Sequence, residues 1–145
     1  SQSPGIVLGG VEMTDKQRIE AYFAAFNRGD TAAMLEMVDE QVAHHVNQGG
    51  VRQGKALFAE FNAHMTRCYR ENLEDIVVFE AGVPGRVAAE FVVNGEYLAT
   101  DEGLPEAAGQ RYRLPAGSFF ELSDGRITRI TTYYNLPEWI RQVGG

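Results

Sequence analysis

Apolar side chains recur at helical spacing in three stretches of the sequence. The first apolar stripe is formed by Ile19, Tyr22, Phe23 and Phe26. Thr14 and Gln17 precede this stripe with the spacing of a capping box, which predicts that a helix begins there. Asp30 or Thr31 can cap a short second helix directly after it. A third helix is predicted over roughly residues 55–70 from its apolar spacing.

After the third helix the apolar period changes to two, which is typical of strands. Including one earlier short strand, the predicted strands cover residues 41–47, 74–81, 86–100, 111–123 and 126–135. The Ser-Asp-Gly sequence before the last strand is typical of a tight hairpin turn. Pro115 and Gly117 indicate a bulge or bend within their strand, and Pro137 opens a short tail helix.

This order of elements predicts an α+β fold in which helices cover one face of a curved sheet that ends in a three- to four-strand antiparallel meander. The late strands carry apolar residues on both faces, so the second face also needs a cover. We expect a homodimer formed through that sheet face. Because no repeat, low-complexity segment or linker is visible, residues 13–145 are predicted to form one domain. Residues 1–12 are interpreted as a flexible N-terminal arm or an expression remnant.

Composition narrows the classes of partner. The 145-residue chain has a formal net charge of −7, which argues against binding to nucleic acid or to an anionic membrane surface. Cys68 is its only cysteine, so no intrachain disulfide can form, and a reducing compartment fits. No apolar run approaches the length of a membrane span, and no signal peptide is recognised. The cytoplasm is therefore the expected location.

Two adjacent histidines, His44 and His45, are the first candidates for chemistry, because imidazole exchanges protons near neutral pH. Neighbouring residues of a strand point to opposite faces, so one of the two is expected to face the interior. The apolar residues Val42 and Val46 favour His44 at that face. A metal site is not expected, because adjacent histidines on a strand diverge and His64 is taken to have no partner at i+4. Cys68 is assigned to packing.

Four stretches carry a family resemblance: EAYFAAFNRGD (20–30), HHVNQGG…GK (44–55), GLPEAAGQRYRL (103–114) and FFELSDGRITRITTYYN (119–135). In this order they resemble the nuclear transport factor 2-like superfamily, which includes ketosteroid isomerases and the polyketide-cyclase-like, or SnoaL-like, proteins. The resemblance covers roughly Met13 to the C-terminus. It implies a cystatin-like cone, in which a curved mixed or antiparallel sheet wraps around three N-terminal helices in the order α-α-β-α-β-β-β.

The resemblance also implies roles for single residues. Tyr22 falls on the isomerase tyrosine that donates a hydrogen bond to an enolate oxygen. His45 falls on or beside the catalytic aspartate if one residue is deleted in the preceding turn, and without that gap the position is Val46. Gly117 stands where isomerases have a second acid. The cyclase-like branch, in which the acid–base residues vary, is therefore the better match.

The resulting expectation is a cofactor-free isomerase or cyclase that moves protons on an apolar, carbonyl-bearing small molecule. Tyr22 would be the hydrogen-bond donor, and His45, or alternatively His44, the base. The alternative is a non-catalytic dimeric module that binds a hydrophobic metabolite. The residues expected to line the cavity are Phe26, Asn47, Phe61, Met65, Phe91, Val93, Tyr97, Phe119 and Tyr134.

Overall fold

The computed structural model describes residues 7–8 and 11–144. The helices within these residues are α1 (Asp15–Asn27), α2 (Thr31–Met37), α3 (Lys55–Cys68) and α4 (Leu136–Gly144). The strands are β1 (Val7–Leu8), β2 (Val11–Glu12), β3 (Val38–Val46), β4 (Arg52–Gln53), β5 (Tyr69–Glu80), β6 (Arg86–Tyr97), β7 (Arg111–Ser123) and β8 (Arg126–Tyr134). The predicted arm over residues 1–12 lies largely outside the described residues, and in its described part β1 pairs with β2.

Local capping signals start the first two helices where the sequence predicts. At the start of α1, Thr14 N donates to Gln17 Oε1 at 2.9 Å and Gln17 N donates to Thr14 Oγ1 at 3.1 Å, which completes the capping box. Gly29 has a φ of +74°, which lets the chain reverse after α1. Asp30 then caps α2 by accepting a hydrogen bond from Ala33 N at 3.0 Å.

Six strands form one mixed sheet in the order β4-β3-β8-β7-β6-β5. Its neighbours pair antiparallel except β3 and β8, which are parallel. The sheet is curved and does not close, and with the helices it forms the predicted α+β fold. In the described residues, no helix combines the length and the hydropathy needed to cross a membrane.

The bulge expected at Pro115 and Gly117 is wrong. The pairing of β6 with β7 runs without a register shift through Pro115, opposite Val92, and Gly117, opposite Glu90. Pro115 is tolerated because β8 reaches only Ala116 of this strand, so the proline nitrogen lies at a free edge. The register of β7 with β8 shifts further along, between Glu121 and Leu122.

Two clusters of buried side chains fill the space between sheet and helices. The larger joins α1, α2 and α3 to the inner face of the sheet, and its aromatic centre is Phe23, which contacts Phe91 and Phe120 at centroid distances of 5.3 and 5.7 Å. The smaller lies where α4 packs on the sheet and contains Tyr97, Tyr112 and Trp139. The candidate site lies between these clusters.

Candidate active site

A cavity of about 390 Å³ opens between the inner sheet face and the helices, within the range of small-molecule sites. Its wall is mainly aromatic and aliphatic. The polar or titratable side chains that line it include Tyr22, His44, His64, Glu71, Asp101 and Tyr112. These side chains come from α1, β3, α3, β5, β7 and the loop between β6 and β7. Several separate elements therefore bring chemical groups to one apolar space.

His44 is the buried imidazole of this cavity. It is 4 % exposed and packs against Phe58 and Phe61, with ring centroids 5.0 and 4.6 Å away. Burial, together with smaller contributions from the positive charges of Arg52 and His45, lowers the pKa of His44 to about 4. The ring is therefore neutral at pH 7. Its Nδ1 has no hydrogen-bond partner among the described residues.

His45 does not face this cavity, so its preferred placement from the family alignment is wrong. It pairs with Thr131 of β8, which in turn pairs with Phe119 of β7, and these residues lie on the outer face of the sheet. The alternation of buried Val42 and His44 indicates the correct face. The family alignment is also one position off at Gly117. Its neighbours Ala116 and Ser118 line the cavity, whereas Gly117 lies on the opposite face of the strand.

Tyr22 lies in the cavity wall as the resemblance implies. It is 7 % exposed and makes edge-to-face contacts with Phe23 and Phe120. Burial raises the pKa of Tyr22 above its ordinary value, and burial is the only cause of that shift. The phenol is therefore protonated at neutral pH and can donate a hydrogen bond to a ligand oxygen.

Glu71 is a cavity carboxyl that the sequence analysis missed. Tyr112 Oη donates a 2.6 Å hydrogen bond to Glu71 Oε2. Burial raises the pKa of Glu71, and the hydrogen bond from Tyr112 opposes part of that rise. The predicted strand began at residue 74, whereas β5 begins at Tyr69. Starting the alternation at Tyr69 and Leu73 would have placed Glu71 on the inner face.

A hydrogen-bonded network joins α3 to the loop between β6 and β7. Asp101 contacts His64 Nε2 through Oδ1 at 2.9 Å and accepts a 2.7 Å hydrogen bond from Tyr69 through Oδ2. Arg67 approaches the other nitrogen of His64 at 3.2 Å. Cys68 lies one turn after His64, with its Sγ 4.0 Å from Nε2, so the expectation that His64 has no partner at i+4 is wrong.

The donor atoms of His64, Cys68 and Asp101 all lie within 4.8 Å of one another and could hold a metal ion. In this arrangement both ring nitrogens of His64 already have partners. Burial and the charge of Asp101 raise the pKa of the Cys68 thiol, which disfavours the thiolate a metal needs. The hydrogen bonds account for these three side chains without an ion.

Most of the predicted lining is found in the wall of the cavity. The residues placed there as expected are Phe26, Phe61, Met65, Phe91, Val93 and Tyr134. Three others are not. Phe119 is 44 % exposed on the outer face of the sheet, where it contacts Tyr133. Its neighbour Phe120 takes the inner position because strand residues alternate.

Tyr97 and Asn47 have structural positions. Tyr97 is fully buried and stacks on Tyr69, which separates it from the cavity. Its hydroxyl donates to Pro105 O at 2.6 Å and accepts from Asp101 N at 2.9 Å, so it fixes the loop that carries Asp101. Asn47 directly follows β3 with a φ of +54°, and its side-chain oxygen accepts a hydrogen bond from Tyr134 N.

Comparison with known proteins identifies the family. The sequence profile of the SnoaL-like domain matches residues 19–130, which is most of the chain. The chain belongs to the SnoaL-like family. This family lies within the nuclear transport factor 2-like superfamily, as the resemblance implies. No curated protein matches the chain.

Three solved structures are similar to this protein along nearly the whole chain. One from Pseudomonas putida KT2440 is 54% identical with a TM-score of 0.88, covering 90% of this chain and 98% of its own. One from Silicibacter sp. TM1040 is 60% identical with a TM-score of 0.87, covering 89% and 94%. One from Xanthomonas campestris is 53% identical with a TM-score of 0.84, covering 89% and 98%. The names of all three propose a polyketide cyclase.

Proposed function

We propose that this SnoaL-like protein is a cofactor-free enzyme of the isomerase or cyclase type, which moves protons on an apolar, carbonyl-bearing small molecule. One observation carries the proposal: the neutral imidazole of His44 and the protonated phenol of Tyr22 line the same mainly apolar cavity. His44 and Tyr22 both line this cavity, so a ligand bound there can contact both side chains. The names of the similar structures support the cyclase branch.

The two side chains have complementary roles in this mechanism. The His44 imidazole removes a proton from the carbon next to the substrate carbonyl, and the Tyr22 hydroxyl donates a hydrogen bond to the enolate oxygen that forms. A base of this kind contributes on the order of 10²–10⁴ to the rate. A donor aimed at the developing oxyanion contributes on the order of 10²–10³. The apolar wall strengthens both effects because it excludes water.

The second candidate is a binding module without catalysis. Ala116 and Ser118 favour it, because these are the cavity residues on either side of Gly117 and neither can supply the second acid of the isomerases. In the module, His44 and Tyr22 would bind a hydrophobic ligand and leave its C–H bonds intact. Both candidates predict binding, and only the first predicts proton removal.

The test is deuterium exchange at the α-carbon of β-tetralone, an apolar ketone that needs no cofactor to exchange. The reaction is followed by proton NMR in deuterated buffer, and binding is followed by the fluorescence of Trp139, the only tryptophan and part of the cavity wall. We expect the protein to exchange faster than buffer. His44→Gln should lower the rate on the order of 10²–10⁴-fold, and Tyr22→Phe on the order of 10²–10³-fold.

His45→Gln is the matched control, because it changes the same residue type one position away on the outer face. This variant should catalyse α-deuterium exchange of β-tetralone at the rate of the unchanged protein. Binding of β-tetralone without exchange would support the module instead. Equal exchange in the unchanged protein and in His44→Gln would overturn the assigned roles.

A further inference from the structure

Glu71 is a half-buried carboxyl of the cavity wall that the mechanism above does not use. We propose that Glu71 is a second proton-transfer residue of the cavity, a general acid that protonates an oxygen of the bound substrate distinct from the enolate oxygen at Tyr22. This inference rests on the proposed function. It also favours a substrate class, because only a compound with two oxygen functions can place one oxygen at Tyr22 and the other at Glu71.

The position of Glu71 is fixed by the sheet and by one hydrogen bond. It lies on the inner face of β5, which pairs with β6 along its whole length apart from one register shift. Tyr112 is the hydrogen-bond partner of the carboxyl among the described residues, and it contacts Oε2 at 2.6 Å. Oε1 is therefore left for a ligand in the cavity that Glu71 lines.

Tyr112 is itself held in place from two sides. Its ring makes an edge-to-face contact with Trp139 at a centroid distance of 5.8 Å. On the neighbouring strand stands Gly95, where a Cβ would lie 2.3 Å from Tyr112 Cζ. Only a residue without a side chain leaves room for this ring. The phenol therefore orients the carboxyl toward the cavity from a fixed position.

Within the described part of the chain, the groups that interact with Glu71 are the phenols Tyr112 of β7 and Tyr134 of β8, and no cation is among them. Burial raises the pKa of both phenols, and the negative charge of Glu71 raises it further. The negative charge of Asp101, in the loop between β6 and β7, also raises the pKa of Tyr134. A desolvated carboxyl in such surroundings holds its proton to higher pH than an exposed one. That is the property a general acid needs.

The proposed step is a ring closure in which atoms and electrons balance. His44 takes the proton from the α-carbon, and the electron pair of that C–H bond forms a carbon–carbon bond to a second carbonyl of the same molecule. The π pair of that carbonyl moves to its oxygen, which takes the proton of Glu71. The cycle closes when the imidazolium returns its proton to the Glu71 carboxylate through solvent. No oxidant or reductant is consumed.

The test compares two reactions on the same variants. One is α-deuterium exchange of β-tetralone, which needs only the base and the phenol. The other is ring closure of heptane-2,6-dione, a linear diketone, to a cyclic product followed by chromatography. Glu71→Gln should keep the exchange within about threefold and lose ring closure by on the order of 10²–10⁴-fold. Glu80→Gln, an exposed change on the same strand, should keep both reactions.

A pH profile distinguishes an acid from a residue that only supports the wall. Ring closure should fall as pH rises through the pKa of Glu71. Tyr112→Phe removes the hydrogen bond that lowers this pKa, so its alkaline limb should move to higher pH. In Glu71→Gln this limb should be absent from the residual rate. Infrared spectra should show a protonated carboxyl band that persists above the ordinary Glu range and is lost in Glu71→Gln.

The outcomes separate this inference from the function on which it rests. Loss of exchange in His44→Gln with unchanged ring closure in Glu71→Gln would overturn the role of Glu71 alone. Exchange without any ring closure by the unchanged protein would also count against it. An alkaline limb that does not move in Tyr112→Phe would overturn it as well. Absence of exchange in the unchanged protein would overturn the proposed function itself.

Discussion

The imidazole of His44 packs against the ring of Phe61, with the ring centroids 4.6 Å apart and the planes tilted by 58°. The guanidinium of Arg52 lies over the same ring, 4.4 Å from its centroid. His44 and Arg52 also pair directly between β3 and β4. Burial by the aromatic wall and this neighbouring cation both disfavour a proton on His44, which keeps the base of the proposed reaction neutral.

The lowered pKa of His44 predicts a pH dependence of stability. In the unfolded chain the ring protonates near its ordinary value of 6.5, and in the folded protein near 4. Because the unfolded state binds more protons between these values, the free energy of unfolding should fall as pH drops through this window. The slope from this group is at most about 1.4 kcal/mol per pH unit.

Urea unfolding of His44→Gln at several pH values measures this contribution. In His44→Gln, the free energy of unfolding should lack the decrease that protonation of His44 causes at low pH, whereas His45→Gln should retain it. Unfolding free energies of the unchanged protein and His44→Gln that run parallel from pH 6.5 to 4 would contradict the buried, neutral imidazole.

Phe119 and Phe120 test the register of the sheet. Phe120 is 1 % exposed in the main core, whereas Phe119 is 44 % exposed on the outer face. Phe120→Ala should lower the free energy of unfolding by about 3–5 kcal/mol because it leaves a cavity. Phe119→Ala should cost clearly less, because the chain itself leaves this ring half exposed. Chemical unfolding of both variants checks this, and equal losses would show that the strand faces are assigned wrongly.

A substitution at Gly95 tests whether the close packing of the Tyr112 ring against this glycine positions its hydrogen bond to Glu71. Gly95→Ala places a methyl group where the Tyr112 ring now lies, so the ring must move and its bond to Glu71 must weaken. The alkaline limb of ring closure should then move in the direction expected for Tyr112→Phe. Gly117→Ala is the matched control, because its Cβ would meet only Ala89 O at 3.5 Å. If the pH profile of ring closure is unchanged in Gly95→Ala, packing at Gly95 does not position Tyr112 for its hydrogen bond to Glu71.

The outer face of the sheet tests the predicted homodimer. Phe79, Ala88 and Phe119 lie in register across β5, β6 and β7, and both phenylalanines are about half exposed. We propose that a second copy of the chain covers this apolar row. Phe119→Arg should then shift the molecular mass measured by light scattering from dimer to monomer. Val51→Arg, at an exposed loop position, should leave it unchanged. A monomeric unchanged protein would contradict the proposal.

Local signals explain why much of the fold is predictable from the sequence. The Thr14 capping box and the Asp30 cap act over three residues, so they can be recognised without knowing the fold. The apolar periods of α1 and α3 likewise predict their inner faces. The parallel pairing of β3 with β8 joins residues far apart in the chain, and no local pattern indicates it.

The site residues were less predictable than the fold, because assigning them requires the exact start of each strand and the face on which each side chain lies. Starting β5 at residue 74 instead of Tyr69 hid Glu71, although its neighbours alternate correctly. His45 was preferred from the family alignment, although the apolar residues Val42 and Val46 on the same face as His44 indicated that His44 points inward. Tyr97 has the inward orientation expected of it but is covered by Tyr69, a packing relation between two strands that spacing alone does not show.

The most direct test of the central claim is an NMR titration of the histidine side chains, with His44 assigned through His44→Gln. The protein contains three histidines, so the signals can be followed singly. We expect His44 to titrate near pH 4 and its signals to shift when β-tetralone is added. A midpoint at the ordinary value of 6.5 together with no response to β-tetralone would contradict the claim that a neutral imidazole faces a ligand-binding cavity.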